Sequence, residues 1–187
     1  MSSYKVLKNQ TFEEGVYSIV PIRYKDRFEI MKWRNEQIHH LRQKNPLSAE
    51  DQENYFSNVV NKIFTQDKPE QILFSFLQND TCIGYGGLVH INWPDKNAEI
   101  SFIMDTAQEK ENFEKYWSVY LSLIEKVAFQ ELKIHKIQTY AYDLRPHLYP
   151  IFASVGLVRD ARLRDHKYID GAFVDVIIHS KLNKNGN

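Results

Sequence analysis

Between Ile72 and Met104 the chain carries three β-type runs whose connections are only long enough for turns. Ile72 to Leu77 and Cys82 to Ile91 are rich in β-branched and aromatic residues, and Asn79 and Asp80 between them tolerate the left-handed backbone of a tight hairpin. Trp93, Pro94 and Asp95 make a second turn, after which Ala98 to Met104 reads as the third strand of a meander. Turns this short join antiparallel neighbours, because a parallel pair needs a crossover of a dozen residues or more. The remaining segments have to cover that sheet.

They read as strands and helices in alternation. Val16 to Ile22 alternates as a strand, and Phe28, Ile30, Met31 and Trp33 follow at near-helical spacing. Ser48 and Asp51 form a capping signal, and Tyr55, Phe56, Val59, Val60, Ile63 and Phe64 then predict a helix from about Ala49 to Thr65. Phe113, Tyr116, Trp117, Tyr120, Leu121, Ile124, Val127 and Ala128 trace one face of a long helix ending near Leu132. Ile134 to Tyr142 is a strand, and Pro146 to Val155 is a short helix stopped by Gly156. Leu157 onward is again strand, and Asp170-Gly171 turns it into a closing strand, Phe173 to Leu182. The order is β, α, α, β, β, β, α, β, α, β, β.

Composition narrows the function classes. With 187 residues, 43% of them hydrophobic, the chain fits one domain over 1–187, with 1–15 as an N-terminal extension and 183–187 as a flexible tail. Lys plus Arg equals Asp plus Glu at 24 each, so no net field favours nucleic acid or an anionic membrane. Cys82 is the lone cysteine, which excludes an internal disulfide. His39 and His40 are adjacent and diverge, and the other histidines are scattered, so no metal site is expected. No apolar h-region or membrane-length run is present, and a cytoplasmic location is expected.

Several strings, in this order, resemble the GNAT superfamily of N-acetyltransferases, in the branch of ribosomal-protein and amino-sugar acetyltransferases. They are Trp33-Arg34-Asn35-Glu36, Ile83-Gly84-Tyr85-Gly86-Gly87, Ala98-Glu99-Ile100-Ser101, His135-Lys136-Ile137, Gly156-Leu157, and Arg162-Leu163-Arg164-Asp165-His166 before Asp170-Gly171. The resemblance implies an α/β (α+β) fold with a mixed, mostly antiparallel central sheet, splayed between its fourth and fifth strands, and helices on both faces. It also implies acetyl-CoA as donor substrate, with pantetheine in the splay along Ile103 and Met104 and the pyrophosphate at the start of the long helix. Lys110, Lys115 and Tyr116 fall in that aligned region, and Arg145 and His147 face the adenosine phosphate end. Relatives carry a glycine-rich turn where this chain has Asn112 to Trp117, which contains no glycine. Phe113 and Trp117 are therefore placed to obstruct phosphate, and a GNAT-shaped binding or scaffold protein is the rival reading.

Acetyl transfer to an amine needs a proton acceptor and benefits from an acid for the leaving thiolate. Glu99 is the expected base, with Ser101 and Ile103 on its face of the strand; the alternative for Glu99 is a cross-strand ion pair. The tyrosine that relatives use as acid aligns with Phe152, and Tyr149 is the expected substitute. Trp33, Arg34, Asn35, Glu36, Tyr85, Ser101 and Tyr142 are expected to meet the acceptor, with Arg34 clamping a phosphate or carboxylate; the alternatives are Trp33 in the core, Arg34 paired with Glu36 or a neighbouring loop, and Tyr85 and Tyr142 as packing. An amino-sugar nucleotide is the favoured acceptor and a protein N-terminal amine the next. A homodimer through an exposed Phe173 to Leu182 edge is the assembly considered.

Overall fold

The computed structural model describes residues 2–184 and builds one eight-stranded sheet. Its strands are β1 (Phe12–Glu14), β2 (Tyr17–Pro21), β3 (Ile72–Gln78), β4 (Thr81–Asn92), β5 (Asn97–Met104), β6 (Lys136–Tyr142), β7 (Val158–Ile169) and β8 (Ala172–Leu182). They lie in the order β1-β2-β3-β4-β5-β6-β8-β7. Every neighbouring pair is antiparallel except β5 and β6. The helices are α1 (Arg27–Glu36), α2 (Ala49–Tyr55), α3 (Asn61–Ile63), α4 (Glu109–Glu125) and α5 (Leu148–Ser154).

Local chemistry accounts for the ends of these elements. Asn79 and Asp80 take φ of 47° and 67°, and Asp170 and Gly171 take 49° and 85°, the left-handed pairs that a twisted two-residue hairpin requires. Ser48 accepts from the Asp51 amide while the Asp51 carboxylate accepts from the Ser48 amide, closing the reciprocal cap of α2. A π-helical turn, Phe56–Val60, carries α2 into α3, and a second, Lys126–Glu131, ends α4.

Strand β3 is buried on both faces from Ile72 to Leu77, so it needs cover above and below. Phe76 and Phe102 meet Tyr116 and Tyr120 of α4 on one face. On the other face the Ser75 hydroxyl donates to buried Asp26, just before α1, at 2.7 Å. Gly86 lies where Tyr120 crosses β4 to donate from its hydroxyl to the Ser101 carbonyl at 3.0 Å. A Cβ at Gly86 would stand 2.0 Å from that carbonyl oxygen, so the close approach requires glycine.

Two expectations are corrected. The segment 1–15 is part of the body rather than an extension: Tyr4 is 1% exposed, its hydroxyl donates to the Leu73 carbonyl and accepts from the Leu73 amide, and Phe12–Glu14 pairs with β2. The closing strand β8 is not an edge, because β6 pairs along one side of it and β7 along the other. The exposed edge there is β7. In the expected tail, Asn183 donates from its amide to the His135 carbonyl, and 185–187 lie outside the described residues. Among the described residues no helix is long and apolar enough to cross a membrane.

Candidate active site

The parallel pairing of β5 with β6 covers only Asn97 with Lys136, Ala98 with Ile137 and Glu99 with Gln138. Beyond Glu99, β5 runs on to Met104 with no strand on that side, while β6 turns away and pairs with β8 as far as Tyr142. The sheet is thus split at the two strands where the sequence places the splay. A cleft of about 730 Å³ opens at the split, lined by both diverging strands, by α3 and by the approach to α5.

Strand alternation sorts the two sides of this cleft. Ser75 and Tyr85 are cross-strand partners, as are Tyr85 and Ile103, Gly87 and Ser101, and Val89 and Glu99, so Glu99, Ser101 and Ile103 share the α1 face. Gln138 opposite Glu99 puts Tyr140 and Tyr142 of β6 on that face as well. Phe102 points the other way, where Trp117 packs edge-on against it at 4.8 Å and against Phe152 at 5.9 Å.

Glu99, Ser101, Ile103, Tyr142, Arg34 and Arg145 line the cleft, as the sequence anticipates. Glu99 is 15% exposed and accepts from Arg42 Nη2 at 2.6 Å. Arg34 pairs with a neighbouring loop and not with Glu36. Its Nη1 donates to the Tyr85 hydroxyl at 2.5 Å and its Nε to Gln43 at 2.8 Å. Burial raises the Tyr142 phenol. Arg145 lies 3.8 Å from Glu109 and 5.8 Å from the Trp117 ring, and burial pushes its guanidinium down to about 10.

Other expected residues are placed elsewhere. Tyr149 does not line the cleft; its hydroxyl donates to Asp143 at 2.6 Å and its ring stacks on His179. Burial, and then the Asp143 carboxylate, raise its phenol further from any proton-donating range. Trp33 is core, 2% exposed. Asn35 binds the Leu47 backbone and Gln43, and Glu36 accepts from the Thr106 hydroxyl, so both staple loops instead of meeting an acceptor. Tyr85 is 6% exposed and serves as the partner of Arg34. Met104 is buried, and its carbonyl accepts from Gln37 Nε2 at 2.9 Å.

The start of α4 explains the remaining differences. Asp105 accepts from the Ala107 amide and begins the helical turns ahead of Glu109, so Asn112 to Trp117 lie inside the helix and not in a loop before it. Helical rotation then sends Tyr116 to Gln78 of β3 and Lys115 over the Tyr17 ring of β2, both away from the cleft. Lys110 is exposed on the first turn. Phe113 leans on the exposed His147 ring at 4.7 Å, and Trp117 forms cleft wall, so neither ring closes the opening.

The structure adds residues that spacing does not reveal. Arg42, His90, Tyr140, Lys62 and His40 all line the cleft. Trp117 Nε1 and His40 Nε2 are buried there without a hydrogen-bond partner. Burial, with Arg145 and His39 nearby, pushes His40 down to about 3, so it is a neutral ring. Among the described residues no three His, Cys, Asp or Glu side chains converge as a metal site.

Residues 19–178 match the acetyltransferase (GNAT) domain, and the chain belongs to that family. Its donor is acetyl-CoA, and the cleft fits it. The free side of β5 past Glu99, the unpartnered Trp117 indole N–H and the Arg145 guanidinium offer hydrogen-bond donors, which suits a molecule rich in amide and phosphate acceptors. Spermidine N-acetyltransferase from Vibrio cholerae, solved with CoA and spermine, superimposes with a TM-score of 0.80 at 16% identity, over 91% of this chain and 97% of that one. A dodecameric structure of the same enzyme gives 0.74 at 17%, over 91% and 95%. Ribosomal-protein-S5-alanine acetyltransferase from Vibrio fischeri gives 0.73 at 16%, over 96% and 100%. At these identities the likeness is one of fold. No curated protein matches the chain in sequence. By family the chain is an acetyl-CoA-dependent N-acetyltransferase.

Proposed function

We propose that the enzyme acetylates the primary amine of a small anionic acceptor, an amino-sugar nucleotide. The supporting observation is the charge of the cleft: Arg34, Arg42, Lys62 and Lys68 line it against Glu70 and Glu99. A diphosphate-linked amine offers those cations an anion while its ammonium seeks a carboxylate. A polyamine of the kind bound by the Vibrio cholerae enzyme offers only positive charge to the same wall, which disfavours it.

Acetyl-CoA supplies the activated acyl carbon and a good leaving thiolate. Glu99 takes one proton from the ammonium, which frees the nitrogen lone pair. As the nitrogen bonds to the acyl carbon and the carbon–sulfur bond breaks, the second amine proton passes through water to the departing sulfur. Tyr142 and Ser101 border the Glu99 side of the cleft, the side that this reading gives to the amine.

The test is CoA release from acetyl-CoA with a panel of nucleotide-linked amino sugars, free amino sugars, spermidine and alanine-terminated peptides. Nucleotide-linked amino sugars are expected to give the highest kcat/KM. E99Q is expected to lower kcat by about 10²–10⁴ while leaving CoA affinity unchanged. A best rate with spermidine or peptide, or no CoA release from any acceptor, overturns the reading.

A further inference from the structure

Arg42 sits in the stretch 41–48, outside any helix or strand, and its side chain is 42% exposed. Three groups of the cleft hold its guanidinium. Nη2 donates to Glu99 Oε1 at 2.6 Å, Nη1 lies 3.1 Å from His90 Nε2, and the guanidinium carbon stands 4.1 Å from the centre of the Tyr140 ring. One of the two Glu99 carboxylate oxygens is therefore committed to Arg42.

The His90 contact is built into the sheet. The pairing of β4 with β5 is regular to Val89 opposite Glu99, then shifts between Val89 and Asn92. Within that bulge His90 takes φ of 50°, a left-handed conformation that costs a non-glycine residue strain. Strain of this kind persists where surrounding structure enforces it, and here it aims an imidazole nitrogen at the arm that holds Glu99. Arg34, by contrast, is tied to Tyr85 and Gln43 and touches no carboxylate.

We propose that Arg42 is an acceptor-sensing latch on Glu99: it masks the carboxylate in the free enzyme and releases it when an anionic acceptor draws the guanidinium away. A phosphate accepts two parallel bonds from the guanidinium fork and competes with the single-point contact to Glu99. An acceptor without an anion leaves the latch closed, so the same amine is a poor substrate when it is not phosphate-linked. Arg42 is thus a positioning and specificity residue, and the inference rests on Glu99 being the proton acceptor.

Two measurements test it. In the first, wild type, R42Q and R42K are assayed with a nucleotide-linked amino sugar and with the corresponding free amino sugar. R42Q is expected to lose about 100-fold in kcat/KM for the linked acceptor. Its kcat for the free sugar is expected to rise about 3- to 10-fold, because Glu99 is unmasked. R42K is expected to recover part of the preference for the linked acceptor. An equal loss with both acceptors overturns the latch, while absence of transfer by wild type counts against the function proposed above.

The second measurement needs no turnover: calorimetric titration of pyrophosphate into protein saturated with CoA. E99Q is expected to bind pyrophosphate about 10-fold more tightly than wild type, because the competitor for Arg42 is gone, and R42Q about 10-fold more weakly. Equal affinities for wild type and E99Q overturn the latch.

Discussion

Replacing Gly86 with alanine puts a methyl group into the joint between β4, β5 and α4. The added Cβ would stand 2.0 Å from the Ser101 carbonyl oxygen, 2.6 Å from the Tyr120 hydroxyl and 2.8 Å from the Phe102 Cα. Two of these three are backbone atoms, so relief requires β5 to move about 1 Å away from β4 and not merely a rotamer change. Overpacking of this kind costs about 1–3 kcal/mol, and losing the Tyr120 bond to Ser101 adds about 1 kcal/mol, giving about 2–4 kcal/mol in all. At an unfolding entropy near 2.1 cal/mol/K per residue, that corresponds to a fall in Tm of about 5–10 °C for a chain of this length. Scanning calorimetry on wild type, G86A and G86A/Y120F measures it. Y120F removes the 2.6 Å conflict and leaves the 2.0 Å one, so the double variant stays destabilised. G171A is the control: its site is open but has φ of 85°, and about 1 kcal/mol is expected. A G86A melt within about 3 °C of wild type, or full rescue by Y120F, would refute the reasoning.

Three further outcomes follow from geometry already described. Y149F is expected to keep kcat within about 2-fold, since that hydroxyl is bound to Asp143 outside the cleft; a fall of tenfold in a CoA-release assay would return Tyr149 to the chemistry. W117F keeps a ring against Phe102 but deletes the unpartnered Nε1, and CoA affinity by calorimetry is expected to weaken about 5-fold. Acid should destabilise the fold. The Ser48 hydroxyl and amide hold Asp51 down, the Tyr24 hydroxyl and Arg27 hold Glu53 down, Lys136 and Ser180 hold Asp160 down, and the Asp165 amide and Arg162 hold Asp175 down. Each carboxylate binds protons less readily folded than unfolded, so its contribution is complete above about pH 5 and is lost as pH falls through about 4 and below. Urea midpoints at pH 7 and pH 3.5 measure this, and an unchanged midpoint would contradict it.

Local chemistry made much of the fold readable. The Asn79-Asp80 and Asp170-Gly171 turns and the Ser48–Asp51 cap depend on neighbouring residues alone, and they occur where the sequence places them. Features that depend on distant partners were not readable. Nothing near Tyr4 indicates that its phenol will bridge the backbone at Leu73, 69 positions away, which is why the first residues read as an appendage. Lys115 and Tyr116 were misplaced because Asp105 starts the helical turns early, and a few residues' change in start redirects every side chain downstream. The placement of Glu99 at the cleft was legible from alternation on β5, whereas Arg42, which meets it across 57 positions from an irregular loop, carries no periodic signal.

The π-helical turn Phe56–Val60 gives the helix between α2 and α3 its phase at the cleft. Asn58, Val59, Lys62 and Ile63 reach the opening from this stretch. A π-helical turn takes up one more residue than an α-helical turn for nearly the same rotation, so deleting one residue from Phe56–Val60 would return a regular helix with the stretch beyond it in nearly the same phase. Lys62 and Ile63 would still reach the opening after such a deletion, whereas a deletion within the regular turns of α2 would swing them away by about 100°. The length of this helix is thus adjustable at one turn without resetting the charge at the mouth of the enzyme.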